Sequence, residues 1–475
     1  ANYAGKTRWQ NLQKGNEMAV SEKSTPSMKR RLNLLVLVVM LAALIYVSVQ
    51  MYNVAVRESD KYQALASSQQ FRSTTVKANR GTIYDKNGQV LAQSVTVYTV
   101  YVDPRTYAER DTEKEDIIVY TLSSKLGIDA EQVREKLYKD NAYQEVATGV
   151  EKSVATDIMN TMSAEGITSV GATPTAKRYY PQNDLAANVI GHLHYDGYGI
   201  YGLEAYYDEY LTGVDGKIIS ARDATGAEFQ YKYKQSYDAQ DGDSLYTNLD
   251  ATIQYYTEKA LESAVQANNP KNKACAIVMN CKTGAIYAMA TETDYNLNAP
   301  SYIYDEKTSL ALAGLEMSGD MEEYYNQRSL AWNLQWTNKA ISSLYFPGSV
   351  FKVVTGSAAL EENAISLSDT FYCDGETEVQ GVIFHCWTTH GGHGTQNFVQ
   401  AMTNSCNPAF VEIGQRLGAK LFCHYFDAFG LTQKTGIDLP AEAVSLYVPY
   451  ESMTPVSLAS SSFGQTNKIT PIQMV

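Results

Sequence analysis

Ser349-Val350-Phe351-Lys352 is the one Ser-x-x-Lys in the chain. A serine hydroxyl is a weak nucleophile until a base removes its proton. Residues three apart share a helical face, so the Lys352 amine can reach the Ser349 hydroxyl. An amine acts as that base only when burial or nearby donors lower its pKa. Pro347-Gly348 marks a helix start just before the serine, and the positive helix end favours an oxyanion beside it. The tetrapeptide alone is short enough to arise by chance. Ser405-Cys406-Asn407, the one Ser-x-Asn, adds a second hydroxyl for proton relay and an amide that can hold a substrate backbone. Asn404 and Ser405 also suit helix capping ahead of Pro408, and both roles can coexist. Lys-Thr-Gly occurs twice, at 282–284 and 434–436.

The elements that must position these groups read as follows. Asp85-Lys86-Asn87-Gly88 is a turn between two β-prone runs, Thr82–Tyr84 and Gln89–Val102. Residues 111–165 are charged and helix-prone, with apolar Ile117, Ile118, Leu122 and Leu126. Asp250 or Thr252 caps an amphipathic helix carrying Ile253, Tyr256, Leu261 and Val265. "ACAIVMN" and "AIYAMA" then read as strands joined at Cys281–Gly284, where the first Lys-Thr-Gly is a hairpin turn. Residues 295–345 look polar, Tyr-rich and irregular. Helical patterns follow over 348–362, 397–404 and 407–429, and the second Lys-Thr-Gly runs into a loop. A domain boundary is expected near residue 240.

The 475 residues suit two or three domains. A formal charge of -13 argues against nucleic acid, which requires a basic partner surface. Basic residues concentrate instead in the first 31 residues, ahead of "LNLLVLVVMLAALIYVSV". Eighteen helical residues rise about 27 Å, close to a bilayer's hydrocarbon core of roughly 30 Å. No small-x-small cleavage site follows, which favours a retained anchor over a cleaved signal peptide. Lys29, Arg30 and Arg31 then stay cytoplasmic and the body lies outside the membrane. The expected organisation is a basic tail over 1–31, an anchor over 32–54, a pedestal over 55–240 and a second domain over 241–475.

Six cysteines would be exported. Cys373 and Cys386 share one Gly- and His-rich loop, where an oxidising compartment suits a disulfide. The rival is a zinc site from Cys373, Cys386, His390 and His393, although the close Cys-x₂-Cys pair of common structural sites is missing. Cys275, Cys281 and Cys423 are expected to be buried small hydrophobes.

The ordered motifs closely resemble class B penicillin-binding proteins of the division and sporulation type. "NRGTIYDKNGQVLA" and "KRYYPQNDLAANVIGHLHYDGYGIYGLEAYYDEYLTG" resemble the pedestal blocks of that family. "LDATIQYYTEKAL", "TGAIYAMA", "TNKAISSLYFPGSVFK", "HGTQNFVQAMTNSCNPAF" and "FGQTNKITPIQM" follow in family order. The resemblance implies an α+β fold: a membrane helix, a mixed pedestal, and a transpeptidase domain with an antiparallel sheet flanked by helices. It implies a D,D-transpeptidase that joins peptidoglycan stem peptides ending in D-Ala-D-Ala and is acylated by β-lactams. Ser349 would be the nucleophile, Lys352 its base, Ser405 a proton relay and Asn407 a holder of the donor backbone. Gly464 and Gln465 would border the substrate. No metal or organic cofactor is implied, and the implied partner is a polytopic glycan polymerase with the division or sporulation machinery.

In that family the working Lys-Thr/Ser-Gly lies on a cleft strand downstream of a block like "ITPIQMV". Neither copy here is therefore expected to be catalytic, and the domain is expected to lack its last strands and to turn over poorly alone. Other readings are a non-catalytic cell-wall scaffold, a β-lactam-sensing receptor and a β-lactamase-like hydrolase. A receptor lacks support in this pedestal, and a hydrolase needs a second base for water.

Overall fold

The apolar run after Arg31 folds as one helix, Pro26–Tyr52, that ends in a π turn, Asn53–Arg57. The computed structural model describes residues 26–59, 71–105, 112–141, 143–221, 234–271, 274–292, 294–389 and 391–475. Lys6, Arg8, Lys14 and Lys23 of the basic tail lie outside the described residues. Among the described residues, Arg30–Arg57 is the stretch long and apolar enough to cross a membrane. Its large apolar side chains, from Leu32 to Val56, are exposed, which suits lipid and not a protein core. One compact unit holds this helix and most of a three-stranded sheet, in which Gly216–Ala221 lies between Phe71–Val76 and Lys234–Tyr237.

The second unit takes in residues 75–216 and 238–475. Asp85 Oδ1 accepts from the amides of Asn87 and Gln89, both at 2.8 Å, and closes the expected turn between Ile83–Tyr84 and Val90–Val102. The long strand Val90–Val102 pairs antiparallel with Gln144–Val150 and with Val170–Tyr179. Helices Thr112–Leu126, Ala130–Leu137 and Lys152–Ala164 cover this sheet through Ile118, Leu122, Val133, Leu137, Ile158 and Met162. Gln144–Val150 departs from the helical expectation for 111–165. Only Val146 and Val150 of it are buried, too short an alternation to stand out among charged helices.

Two carboxylates fasten the early motif blocks to later segments. Glu204 is fully buried and accepts from Arg80 Nε at 2.6 Å and Arg178 Nε at 2.7 Å. Arg80 Nη2 also reaches the Glu204 carbonyl at 2.7 Å, so the guanidinium is held along two edges. Asp85 Oδ2 accepts the Ala251 amide at 3.2 Å, at the start of helix Ala251–Asn268. Asp250, not Thr252, is that helix's N-cap, accepting from Thr252 and Ile253 amides at 3.0 Å. Ile83, Leu91, Leu297, Ile341, Leu439 and Ile472 share one buried cluster, so the pedestal motif and the C-terminal segments have a common core.

Ala274–Met279 and Ile286–Glu292 form the expected antiparallel hairpin beside that helix. The 295–345 stretch corrects the reading of irregularity, for it contains helices Glu306–Ser318 and Met321–Trp336. Asp305 and Asp320 cap them, and Gly319 at φ +79° separates them. Few of their residues are buried, so no apolar stripe announces them. The last helical region also divides: Gly418, at φ +81°, splits Asn407–Leu417 from Ala419–Ala428. The fold is α+β, with small open sheets among helices, antiparallel except where Ile83–Tyr84 pairs parallel with Leu245–Tyr246.

Candidate active site

Gly348–Phe351 forms a single 3₁₀ turn that runs straight into helix Lys352–Glu361. Ser349 is exposed at this turn, while Lys352 in the next turn is only 1% exposed. Gly348 takes φ +60° and Gly464 φ +83°, a region glycine enters without a Cβ clash. Gly348 N donates to Gly464 O at 2.9 Å. A Cβ on Gly464 would lie 2.2 Å from Gly348 O, so the two backbones touch as only glycine allows.

Lys352 Nζ lies 3.2 Å from Ser349 Oγ, as the i,i+3 spacing predicts. It also lies 2.7 Å from Ser405 O, 3.0 Å from Ser405 Oγ and 2.8 Å from Asn407 Oδ1. All four oxygens are neutral, and the Phe410 ring centroid is 5.5 Å away. Burial pushes the amine down to about 8, against a smaller opposing pull from the Cys406 and Cys386 thiols. Near neutral pH an appreciable fraction of Lys352 is then unprotonated and able to accept the serine proton.

The second motif is held by its own turn. Ser405 adopts φ +49°, and Cys406 caps helix Asn407–Leu417. The left-handed turn aims both the carbonyl and the hydroxyl of Ser405 at Lys352. The hydroxyls of Ser349 and Ser405 thus flank one amine, as a two-way proton relay requires. Asn407 Nδ2 donates to His385 O at 3.1 Å, which ties this helix to strand Val382–His385. Gly414 lies against Ser462, so close that a Cβ there would sit 1.7 Å from Ser462 Oγ. Thr355 Oγ1 donates to Ser462 O at 2.9 Å, joining helix Lys352–Glu361 to the same segment. Of the remaining candidates, Gly464 is buried against the Gly348–Phe351 turn, and Gln465 beside it is exposed. The His385 carbonyl and Thr355 had no sequence signal. Their contributions come from a backbone oxygen and a common hydroxyl.

The first Lys-Thr-Gly copy is a hairpin turn and the second lies in a loop. Gly284 N donates to Asn280 O at 2.8 Å. Thr435 N and Oγ1 each donate to Glu442 Oε1 at 2.7 Å, and Gly436 N reaches Oε2 at 3.2 Å. Gly284, Thr435 and Gly436 line a cavity of about 540 Å³ that does not include Ser349.

The cysteines depart from expectation. Cys373 and Cys386 are free thiols here and not a disulfide. Their sulfurs lie with His393 and Cys406 in one cluster whose ligand atoms are all within 4.8 Å of one another. His390 lies outside the described residues. Cys281 is exposed, because it sits on the hairpin turn, and Cys275 and Cys423 are half-buried.

Residues 75–247 match the Penicillin-binding Protein dimerisation domain, and residues 274–475 match the Penicillin binding protein transpeptidase domain. Stage V sporulation protein D of Bacillus subtilis is 31% identical over 418 residues, covering 88% of this chain and 59% of that protein. Peptidoglycan D,D-transpeptidase FtsI of Buchnera aphidicola is 26% identical over 403 residues, covering 85% of this chain and 64% of that protein. The crystal structure of Penicillin Binding Protein 2X from Streptococcus thermophilus matches with a TM-score of 0.65 at 26% identity, over 85% of this chain and 58% of the other. The chain thus spans about three fifths of the length of these relatives. Two domain matches in the order that the motifs implied, and relatives alike along most of the chain, place it in a family: it belongs to the class B penicillin-binding proteins.

Proposed function

We propose that the protein is a membrane-anchored peptidoglycan D,D-transpeptidase acting by serine acyl transfer. The observation that carries this reading is the buried Lys352 amine, in reach of both Ser349 Oγ and Ser405 Oγ. Neutral Lys352 takes the Ser349 proton as Oγ attacks the penultimate D-Ala carbonyl. Ser405 passes a proton to the departing D-Ala amine, leaving the stem peptide as an ester on Ser349. An amine from a second stem peptide then attacks that ester, and Ser349 recovers its proton through Lys352. Asn407 Nδ2 carries two hydrogens; His385 O takes one, and the other serves the donor backbone. Gly464 and Gln465 border the acyl donor. β-Lactams acylate Ser349 because their strained amide presents the same carbonyl.

The segment 32–54 anchors the protein with its N-terminus cytoplasmic, residues 55–240 form the pedestal, and 241–475 bear the reaction. A polytopic glycan polymerase is the proposed partner, with the division or sporulation machinery. The test is labelling of the detergent-solubilised chain with a fluorescent penicillin, followed by peptide mapping. The label should sit on Ser349 and vanish in Ser349→Ala. A folded protein that stays unlabelled, or carries label elsewhere, overturns the reading.

A further inference from the structure

We propose that Cys373, Cys386, His393 and Cys406 bind one zinc ion in a closed structural site directly behind the Ser405-Cys406-Asn407 motif. Four chain segments bring these groups together. Cys373 ends strand Thr370–Cys373 and pairs in register with Gly394, the residue after His393. Cys386 follows strand Val382–His385, its amide held by Gly375 O at 2.7 Å. Cys406 is the N-cap of helix Asn407–Leu417. Gly391, Gly392 and Gly394 all have positive φ, and a Cβ on Gly392 would come within 2.2 Å of Cys373 O. The glycine loop is thus pressed onto the Cys373 backbone and carries His393 with it.

The donor set and its spacing fit a thiophilic tetrahedral ion. Zn–S bonds of about 2.3 Å and Zn–N bonds of about 2.0 Å place tetrahedral ligand atoms roughly 3.5–3.8 Å apart. Cys386 Sγ and His393 Nδ1 are already 3.5 Å apart, and no pair exceeds 4.8 Å, so closing on the ion needs shifts of about 1 Å. The three thiols are buried and His393 is half-buried. Gln396, itself 2% exposed, has an Nε2 with no hydrogen-bond partner, a donor suited to a neighbouring thiolate. Three sulfurs and one imidazole favour zinc over magnesium or calcium, which take oxygen ligands. Binding releases three thiol protons to solvent and leaves Zn²⁺ with three thiolates and a neutral histidine. Four protein ligands leave no open position, so the ion staples the Ser-Cys-Asn turn and supplies no nucleophile. A disulfide within the cluster would leave an odd thiol, whereas zinc uses all three.

The experiment measures metal in the full chain, purified in detergent without added metal, and does not depend on the reaction assigned to Ser349. Elemental analysis should find about one zinc per chain. Replacement by cobalt should give a sulfur-to-cobalt charge-transfer band. His393→Ala and Cys406→Ser should lose most of the zinc. His393→Cys, which restores a four-ligand set, should keep it, and Cys423→Ser should leave it unchanged. The last two variants separate loss of a ligand from loss of the fold. A reduced, folded protein that takes up neither zinc nor cobalt overturns the proposal. So does an intact mass two hydrogens lighter, with a Cys373–Cys386 cross-linked peptide in the purified chain.

Discussion

Lys352 sits where burial and reactivity meet. Its ordinary pKa of 10.5 is pushed down to about 8 by burial, so the neutral form gains as pH rises through that value. Acylation of Ser349 by a penicillin should therefore climb about tenfold per pH unit below 8 and level off above it. Stopped-flow labelling between pH 6 and 10 checks this, and a flat profile would deny Lys352 the part of base. Lys352→Met should slow acylation by roughly 10²–10⁴-fold while the fold survives, as circular dichroism would show. The Ser349–Lys352 pair was legible in the sequence because its geometry is local, one helical turn. Its link to Ser405 and Asn407 was legible only through motif order, since no local rule brings positions fifty residues apart together. Cys406 escaped notice as a ligand because its sulfur comes from outside the loop that holds the other cysteines.

The elements around the site are shaped by close backbone approaches more than by long apolar faces. Gly464→Ala places a methyl at φ +83° against Gly348 O, so it should destabilise by roughly 1–3 kcal/mol and displace the Ser349 turn. Thermal unfolding and the acylation rate should fall together; an unchanged rate would show that the turn stands without this brace. Sequence reasoning found the hairpins at 83–102 and 274–292, the helix capped by Asp250 or Thr252 and the helix after Ser349, where caps and periodicity agree, but it read as one loop a stretch that holds the hairpin Glu376–Val379 with Val382–His385. It missed helices Glu306–Ser318 and Met321–Trp336, whose aspartate caps were present but whose surfaces lack a stripe. It also ran two helices into one across Gly418, whose left-handed backbone is invisible in a pattern of apolar residues.

Across the molecule, the first motif block works as a fastening. Arg80 and Arg178 converge on the buried carboxylate of Glu204, and Asp85 reaches the start of helix Ala251–Asn268. Glu204→Gln leaves the buried Arg178 guanidinium without its carboxylate, while Arg80 keeps Asp208 at 2.7 Å, and should lower stability by about 3–5 kcal/mol. Urea unfolding of the detergent-solubilised chain measures this; a loss under about 1 kcal/mol would mean that Asp208 and solvent already compensate the two guanidiniums. The motif order marked this block as resembling a pedestal entry, but not its physical work, because the groups that the Arg80 guanidinium meets lie more than a hundred residues away. The same separation governs the Gly348–Gly464 contact and gives it a meaning in time. A ribosome that has delivered Ser349 has yet to make the stretch of chain that braces it. The Ser349 turn therefore matures late, after its surroundings exist, and a half-made chain holds Ser349 and Lys352 without the glycine that fixes their turn.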